Sequence, residues 1–152
     1  MGRLRRRLLD RLLLAVRWGW PGLAACGGAR TARGRLGRRA ERDAARLLKR
    51  DGYAILEHGF RCREGEIDLV AFKEGVVAFV EVRSRAEPSA LDPLETVTRA
   101  KRGRLVRAAH RYAALHGLWR EEVGMRFDVV ALRYGPDGSL AGAQHIQDAF
   151  RP

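Results

Sequence analysis

The chain has 152 residues, 46% of them hydrophobic, which suits one ordinary core in a single domain. Its formal charge of +12 is uneven: residues 1 to 39 hold 11 Arg and one Asp, a charge of +10, and the remainder carries only +2. No apolar stretch is long enough to span a bilayer, and Cys26 and Cys62 have neither metal-ligand spacing nor the numbers of a secreted disulfide scaffold, so a reducing cytoplasm is expected.

Residues 1 to 33 read as a basic, flexible N-terminal arm and residues 34 to 152 as one domain. From Arg3 to Trp18 the arm has a helical stripe of Leu4, Leu8, Leu12 and Ala15 among arginines, a pattern suited to nucleic acid or to an anionic membrane surface. Its short apolar run, Leu12 to Val16, is followed at once by Arg17, which argues against a signal peptide. Trp18 to Pro21 and the Gly27-Gly28 pair then break the helix.

Gly37 to Lys49 is expected to form the first helix of the domain, stopped by Asp51 and Gly52. Ala40, Ala44, Ala45, Leu47 and Leu48 make its apolar stripe, with Arg39, Arg42, Arg46 and Arg50 opposite. Glu41 falls within that stripe. A carboxylate aimed at a core costs several kcal/mol unless it is paired or lies near the helix start, where the macrodipole favours an acid.

Tyr53 to Glu57 reads as a short strand leading through His58 into a hairpin from Glu64 to Arg85. His58 has no second His or Cys at ligand spacing and reads as a loop or hydrogen-bonding residue. A two-residue loop at Glu74 and Gly75 places Phe72 opposite Val77, Val70 opposite Phe79, Asp68 opposite Glu81 and Glu66 opposite Arg83, all on one face. Facing carboxylates repel, so a cation belongs between Asp68 and Glu81: a divalent metal, or an arginine such as Arg83 or Arg85. A loop of three residues would send the two acids to opposite faces.

Glu87 to Pro93 is a polar loop of a length that suits a segment beside a site. A second helix follows, from about Glu95 to His116, with Val97, Leu105, Ala108, Ala109, Tyr112 and Leu115 as its apolar stripe. Arg99, Arg104, Arg107 and Arg111 lie off the stripe as a basic surface suited to phosphates, and Lys101 lies inside it, its ammonium either directed at something anionic or snorkelling to water at the helix edge. Met125 to Arg133 is a strand with Asp128 on the same side as Arg126 and Val130, and Ala143 to Phe150 a last edge strand.

The order helix, three strands, helix, strand, with Ala40-Glu41 in the first helix, GEIDLV at Gly65 to Val70, FVEVRSR at Phe79 to Arg85, the helix bearing Lys101 and RFDVV at Arg126 to Val130, resembles the YraN-like family of small bacterial proteins. The resemblance covers about Gly34 to Ala131. That family is similar to archaeal Holliday junction resolvases and to the wider restriction-endonuclease-like fold.

The resemblance implies an α/β domain with a mixed central sheet flanked by helices. It also implies a Mg²⁺- or Mn²⁺-dependent endodeoxyribonuclease acting on phosphodiesters, with branched DNA favoured. Asp68 and Glu81 would be the metal ligands, Glu41 would complete the site, and Arg83 stands where the nuclease pattern has Lys. Lysine can lose its proton, whereas Arg stays charged and can only orient or stabilise. Arg85, Arg99, Lys101, Arg104, Arg107 and Arg111 would grip the DNA backbone. Related nucleases pair to cut two strands, so a homodimer is an expected arrangement, although no interface is readable. Two other readings stay open: a catalytically inactive nucleic-acid-binding module with Arg83 as permanent counter-ion, and an adaptor held at a membrane surface by the arm.

Overall fold

The computed structural model describes residues 32–86, 97–119 and 123–152, with side chains described from Gly37 onward. The expected helix of the arm and the loop from Glu87 to Pro93 lie outside the described residues. Seven elements follow in chain order: α1 (Ala32–Arg50), β1 (Ala54–Cys62), β2 (Gly65–Lys73), β3 (Val76–Ala86), α2 (Arg99–His116), β4 (Gly124–Tyr134) and β5 (Leu140–Phe150).

α1 begins five residues before the expected Gly37 and buries Ala40, Ala44, Ala45 and Leu48, while Leu47 is only partly covered. Gly52, at a φ of 87°, turns the chain out of the helix, and Tyr53 N–H donates back to the Leu48 carbonyl at 2.9 Å. β1 runs on past Glu57 to Cys62, bending through a register shift between Ile55 and Glu57. β5 likewise starts earlier than expected, at Leu140.

The five strands pair in sequence order, β1-β2-β3-β4-β5. All neighbours are antiparallel except β3 and β4, which run parallel and are joined across the sheet by α2. Phe60, Val70, Phe72, Val77 and Phe79 pack with Leu105, Ala108, Ala109 and Tyr112 of α2. A second cluster joins Leu69, Ala71, Ala78, Val80, Val130 and Leu132 to α1. The result is a mixed sheet flanked by two helices, an arrangement consistent with a restriction-endonuclease-like α/β fold.

The β2–β3 turn has the expected two residues. Glu74 and Gly75 take φ values of 51° and 87°, both on the left-handed side, and Lys73 pairs with Val76. Phe72 therefore faces Val77 and Val70 faces Phe79. The even register keeps Glu81 on the face of Val77 and Phe79, the α2 side of the sheet, where Lys101 meets it.

α2 starts at Arg99, where Thr98 caps it by accepting a hydrogen bond from Lys101 N–H at 3.3 Å, and stops at Gly117, which takes a φ of 63°. Leu115, expected in its buried stripe, is 53% exposed, while Tyr112, Ala113 and Leu118 around it are buried.

Candidate metal and nucleic-acid site

The site is made where β2 and β3 part. Their ladder runs from Lys73↔Val76 to Leu69↔Val80 and stops, while β3 continues paired to β4 as far as Ala86. Asp68 and Glu81 are the next residues beyond the last rung. Asp68 fills part of the gap with its side chain, Oδ2 accepting from Val82 N–H at 2.8 Å.

The expected facing of Glu66 and Arg83 is not found. Beyond Leu69 the β2 backbone follows β1, so Glu66 pairs with Arg61, and the two side chains form an exposed ion pair at 3.6 Å. Arg83 instead faces Ala131 in β4.

Glu81 is 1% exposed. Two cations approach the same oxygen: Lys101 Nζ lies 2.6 Å from Oε1 and Arg83 Nε 3.4 Å from it. Oε1 thus has two cations against it, whereas Oε2 receives no hydrogen bond among the described residues. A buried carboxylate ordinarily accepts several, so this one is open to a further cation. Lys101 is thus inside the helix stripe as expected, its ammonium directed at an acid.

Burial pushes the Asp68 carboxyl up, and the charge of Glu81 pushes it further; the Val82 N–H and the Lys101 ammonium oppose this, and the pKa comes to rest at about 7. Two cations nominally balance two carboxylates here, yet both sit on Glu81. Among the described residues no cation pairs directly with Asp68, although the Lys101 charge acts on it.

Glu41 reaches the site from the other helical layer. It is half-buried, and burial raises its pKa while Arg61 lowers it and Glu66 raises it again. Its charge also raises the Asp68 pKa, so the three acids sense one another. They do not converge to direct ligand distance: among the described residues no three His, Cys, Asp or Glu are grouped to hold a metal ion. Two carboxylates still fit Mg²⁺, which keeps several waters and is commonly held by one or two carboxylates plus substrate phosphates.

Six cations and no acid occupy α2. Arg99, Arg104, Arg107 and Arg111 are exposed, and Arg85 is half-buried at the end of β3. A cleft of about 280 Å³ opens beside Lys101, between α2 and the β1–β2 turn, lined also by Arg61, Gly65, Glu66 and Arg104. Arg61 did not stand out in the sequence, because its relevance depends on where the turn docks. A larger cavity of about 490 Å³, lined by Val76, Phe79, Met125, Phe127 and Phe150 among others, opens where β3 and β4 begin and includes neither acid of the pair.

Asp128, the remaining acid in an apolar strand, is wholly buried and fully partnered. Arg126 donates to both of its oxygens at 2.8 and 2.9 Å, His145 Nε2 lies 2.8 Å away, and Asp148 N–H donates at 3.0 Å. Tyr53 joins the network through the Arg126 guanidinium at 2.8 Å. Asp128 ties β4 to β5 and takes no part in the pair at the β2–β3 fork.

The profile of "Uncharacterised protein family UPF0102" matches residues 40–132. The chain belongs to the UPF0102 family. The matched stretch contains Glu41, Asp68, Glu81, Arg83 and Lys101 and leaves out the basic arm. A UPF0102 protein of Chloroflexus aurantiacus is 46% identical over 116 residues, covering 76% of this chain and 92% of the relative. One from Symbiobacterium thermophilum is 45% identical over 116 residues, covering 76% and 96%. One from Clostridium perfringens is 40% identical over 108 residues, covering 71% and 87%. No described helix is long and apolar enough to cross a membrane.

Proposed function

We propose that this UPF0102 protein binds DNA through its basic second helix and hydrolyses phosphodiester bonds with a divalent metal, Mg²⁺ or Mn²⁺, held by Asp68 and Glu81. The observation that carries the reading is the state of the acid pair. Glu81 is buried with its Oε2 accepting no hydrogen bond among the described residues, and beside it burial, with the Glu81 charge added, pushes Asp68 up to about 7. A purely structural ion pair would satisfy both carboxylate oxygens; here the two cations lie on Oε1, and Oε2 is left over.

When bound, the metal supplies Lewis acidity at the scissile phosphate and lowers the pKa of an attacking water. The chain's own part is positional. Asp68 and Glu81 present carboxylate oxygens at the fork, Glu41 adds charge from α1, and Arg83 holds Glu81. The resemblance to Holliday junction resolvases favours branched DNA as substrate. The exposed arginines of α2 contact backbone phosphates, which position the duplex without reading its bases.

A specific observation supports a second reading, a binding module without catalysis. Lys101 and Arg83 both already contact Glu81 Oε1, and in that reading they are its permanent counter-ions.

Calorimetric titration of Mg²⁺ and Mn²⁺ into wild type and the Asp68→Ala/Glu81→Ala double variant, with cleavage of branched DNA by the same preparations, separates the two. Metal binding and cleavage that both disappear in the double variant support the nuclease. Salt-sensitive DNA binding indifferent to metal supports the binding module. Metal binding without cleavage directs the question to Arg83, and Arg83→Lys is then expected to raise activity.

A further inference from the structure

We propose that the cleft between the β1–β2 turn and α2 is a subsite for a nucleic-acid backbone phosphate, held by Arg61 and Arg104 and joined to the acid pair by Lys101. The inference rests on the reading that the chain binds nucleic acid, and it names where one phosphate sits.

Three observations converge on this cleft. Arg61 comes from β1 and Arg104 from α2, elements far apart in sequence, and both line the same space of about 280 Å³. Arg104 is exposed and has no ion-pair partner among the described residues. Lys101 lines the cleft with part of its side chain while its ammonium contacts Glu81 Oε1 at 2.6 Å. A phosphate between Arg61 and Arg104 therefore lies one lysine side chain from the acids, a placement suited to a phosphate flanking the scissile one.

The cleft depends on Gly65. A Cβ there would stand 2.7 Å from the Arg104 carbonyl oxygen, so only glycine lets the turn come this close to α2. That approach brings Arg61 and Arg104 to the walls of one cleft.

Glu66 also lines the cleft and pairs with Arg61 at 3.6 Å. Its side chain and that of Arg61 are 51% and 54% exposed, and surface pairs of this kind contribute little. The guanidinium has five donors, so Glu66 does not exhaust it. Glu66 instead supplies a test of sign: removing its charge should strengthen phosphate binding.

The experiment measures binding of a fluorescent branched DNA in EDTA across a salt series. It compares wild type, Arg61→Gln/Arg104→Gln, Glu66→Gln, and Arg46→Gln/Arg50→Gln on the exposed side of α1 as a control. The cleft variant is expected to weaken binding at low salt by ten- to a hundredfold and to reduce the salt slope by about 1 for each arginine lost. Glu66→Gln is expected to bind more tightly, the control to match wild type, and Arg61→Lys/Arg104→Lys to recover the slope.

A cleft variant with the slope of the control overturns the subsite while leaving DNA binding intact. Wild type that binds no DNA at low salt overturns the underlying reading as well. Calorimetry with inorganic phosphate distinguishes the ligand's source: phosphate binding that needs both arginines, with DNA binding indifferent to them, overturns a backbone subsite.

Discussion

Lys101 Nζ lies 2.6 Å from Glu81 Oε1, so an ammonium from the first turns of α2 is the nearest cation to a carboxylate buried in β3. The contact joins a helix to a strand at the point where β2 leaves the sheet ladder. It also means that Glu81 is not an isolated charge.

Replacing Lys101 by Met removes that cation and leaves Glu81 buried beside Arg83 alone. Breaking a buried pair by removing one partner costs about 3–5 kcal/mol, and Lys101 is partly exposed, so a loss of about 2 kcal/mol is expected at pH 8. Urea unfolding with and without Mg²⁺ checks this. Added metal should return more stability to Lys101→Met than to wild type, because a divalent ion supplies the charge that the variant lacks.

Asp68 makes stability fall as pH rises. Its folded pKa of about 7 stands above the ordinary 3.8, so between these values the folded protein binds more protons than the unfolded chain. Asn at this position cannot ionise, and its amide oxygen can still accept the Val82 N–H. Asp68→Asn is therefore expected to be more stable than wild type at pH 8 by on the order of 2 kcal/mol, a gain that vanishes near pH 4. Thermal unfolding across this range tests the sign, and the variant should lose the stabilisation by Mg²⁺ that wild type shows at pH 8.

Much of this arrangement was legible in the chain. Glu74 and Gly75 between two Val- and Phe-rich runs set the turn length, and the turn length sets which residues face one another. Asp68 and Glu81 therefore came together on paper. The parting of β2 from β3 at Leu69 was not legible, because counting along a hairpin assumes that the ladder continues; Glu66 follows β1 instead. Arg61 was missed for the same reason, since docking of the β1–β2 turn on α2 is a long-range contact. Glu41 and Lys101 were recognisable as charged residues on apolar stripes, but whether either met a partner was a matter of tertiary packing. Asp128 and Arg126 were placed on one side of a strand, while His145 and the Asp148 backbone, which complete the network, come from β5.

Asp128 gives the opposite pH dependence to Asp68. Burial pushes its pKa up, but the bonds from His145, Arg126 and the Asp148 N–H outweigh burial and leave it below the ordinary range. Its contribution is present above 3.8 and is lost as pH falls through the folded value. Asp128→Asn sets an amide NH₂ against either the Arg126 guanidinium or the Asp148 N–H, both donors, and leaves the Arg126 charge without its partner. A loss of about 3 kcal/mol at pH 7, shrinking toward pH 3, is expected in urea unfolding, with no change in metal affinity at the β2–β3 fork.

Two glycine substitutions separate close approach from ordinary helix propensity. At Gly65 an added Cβ meets the Arg104 carbonyl oxygen at 2.7 Å and carbonyl carbon at 3.1 Å, both backbone atoms that cannot rotate away. Gly65→Ala must push the β1–β2 turn off α2, which is expected to cost about 2 kcal/mol, in the range of overpacking in a close contact. Gly37 lies inside α1, and a Cβ there meets nothing within 4 Å. Gly37→Ala removes backbone freedom from the unfolded chain and is expected to stabilise by roughly 0.5–1 kcal/mol. Paired urea curves read both values. Because the displaced turn carries Arg61 away from Arg104, Gly65→Ala should also bind DNA more weakly under conditions where it remains fully folded, whereas Gly37→Ala should bind as wild type does.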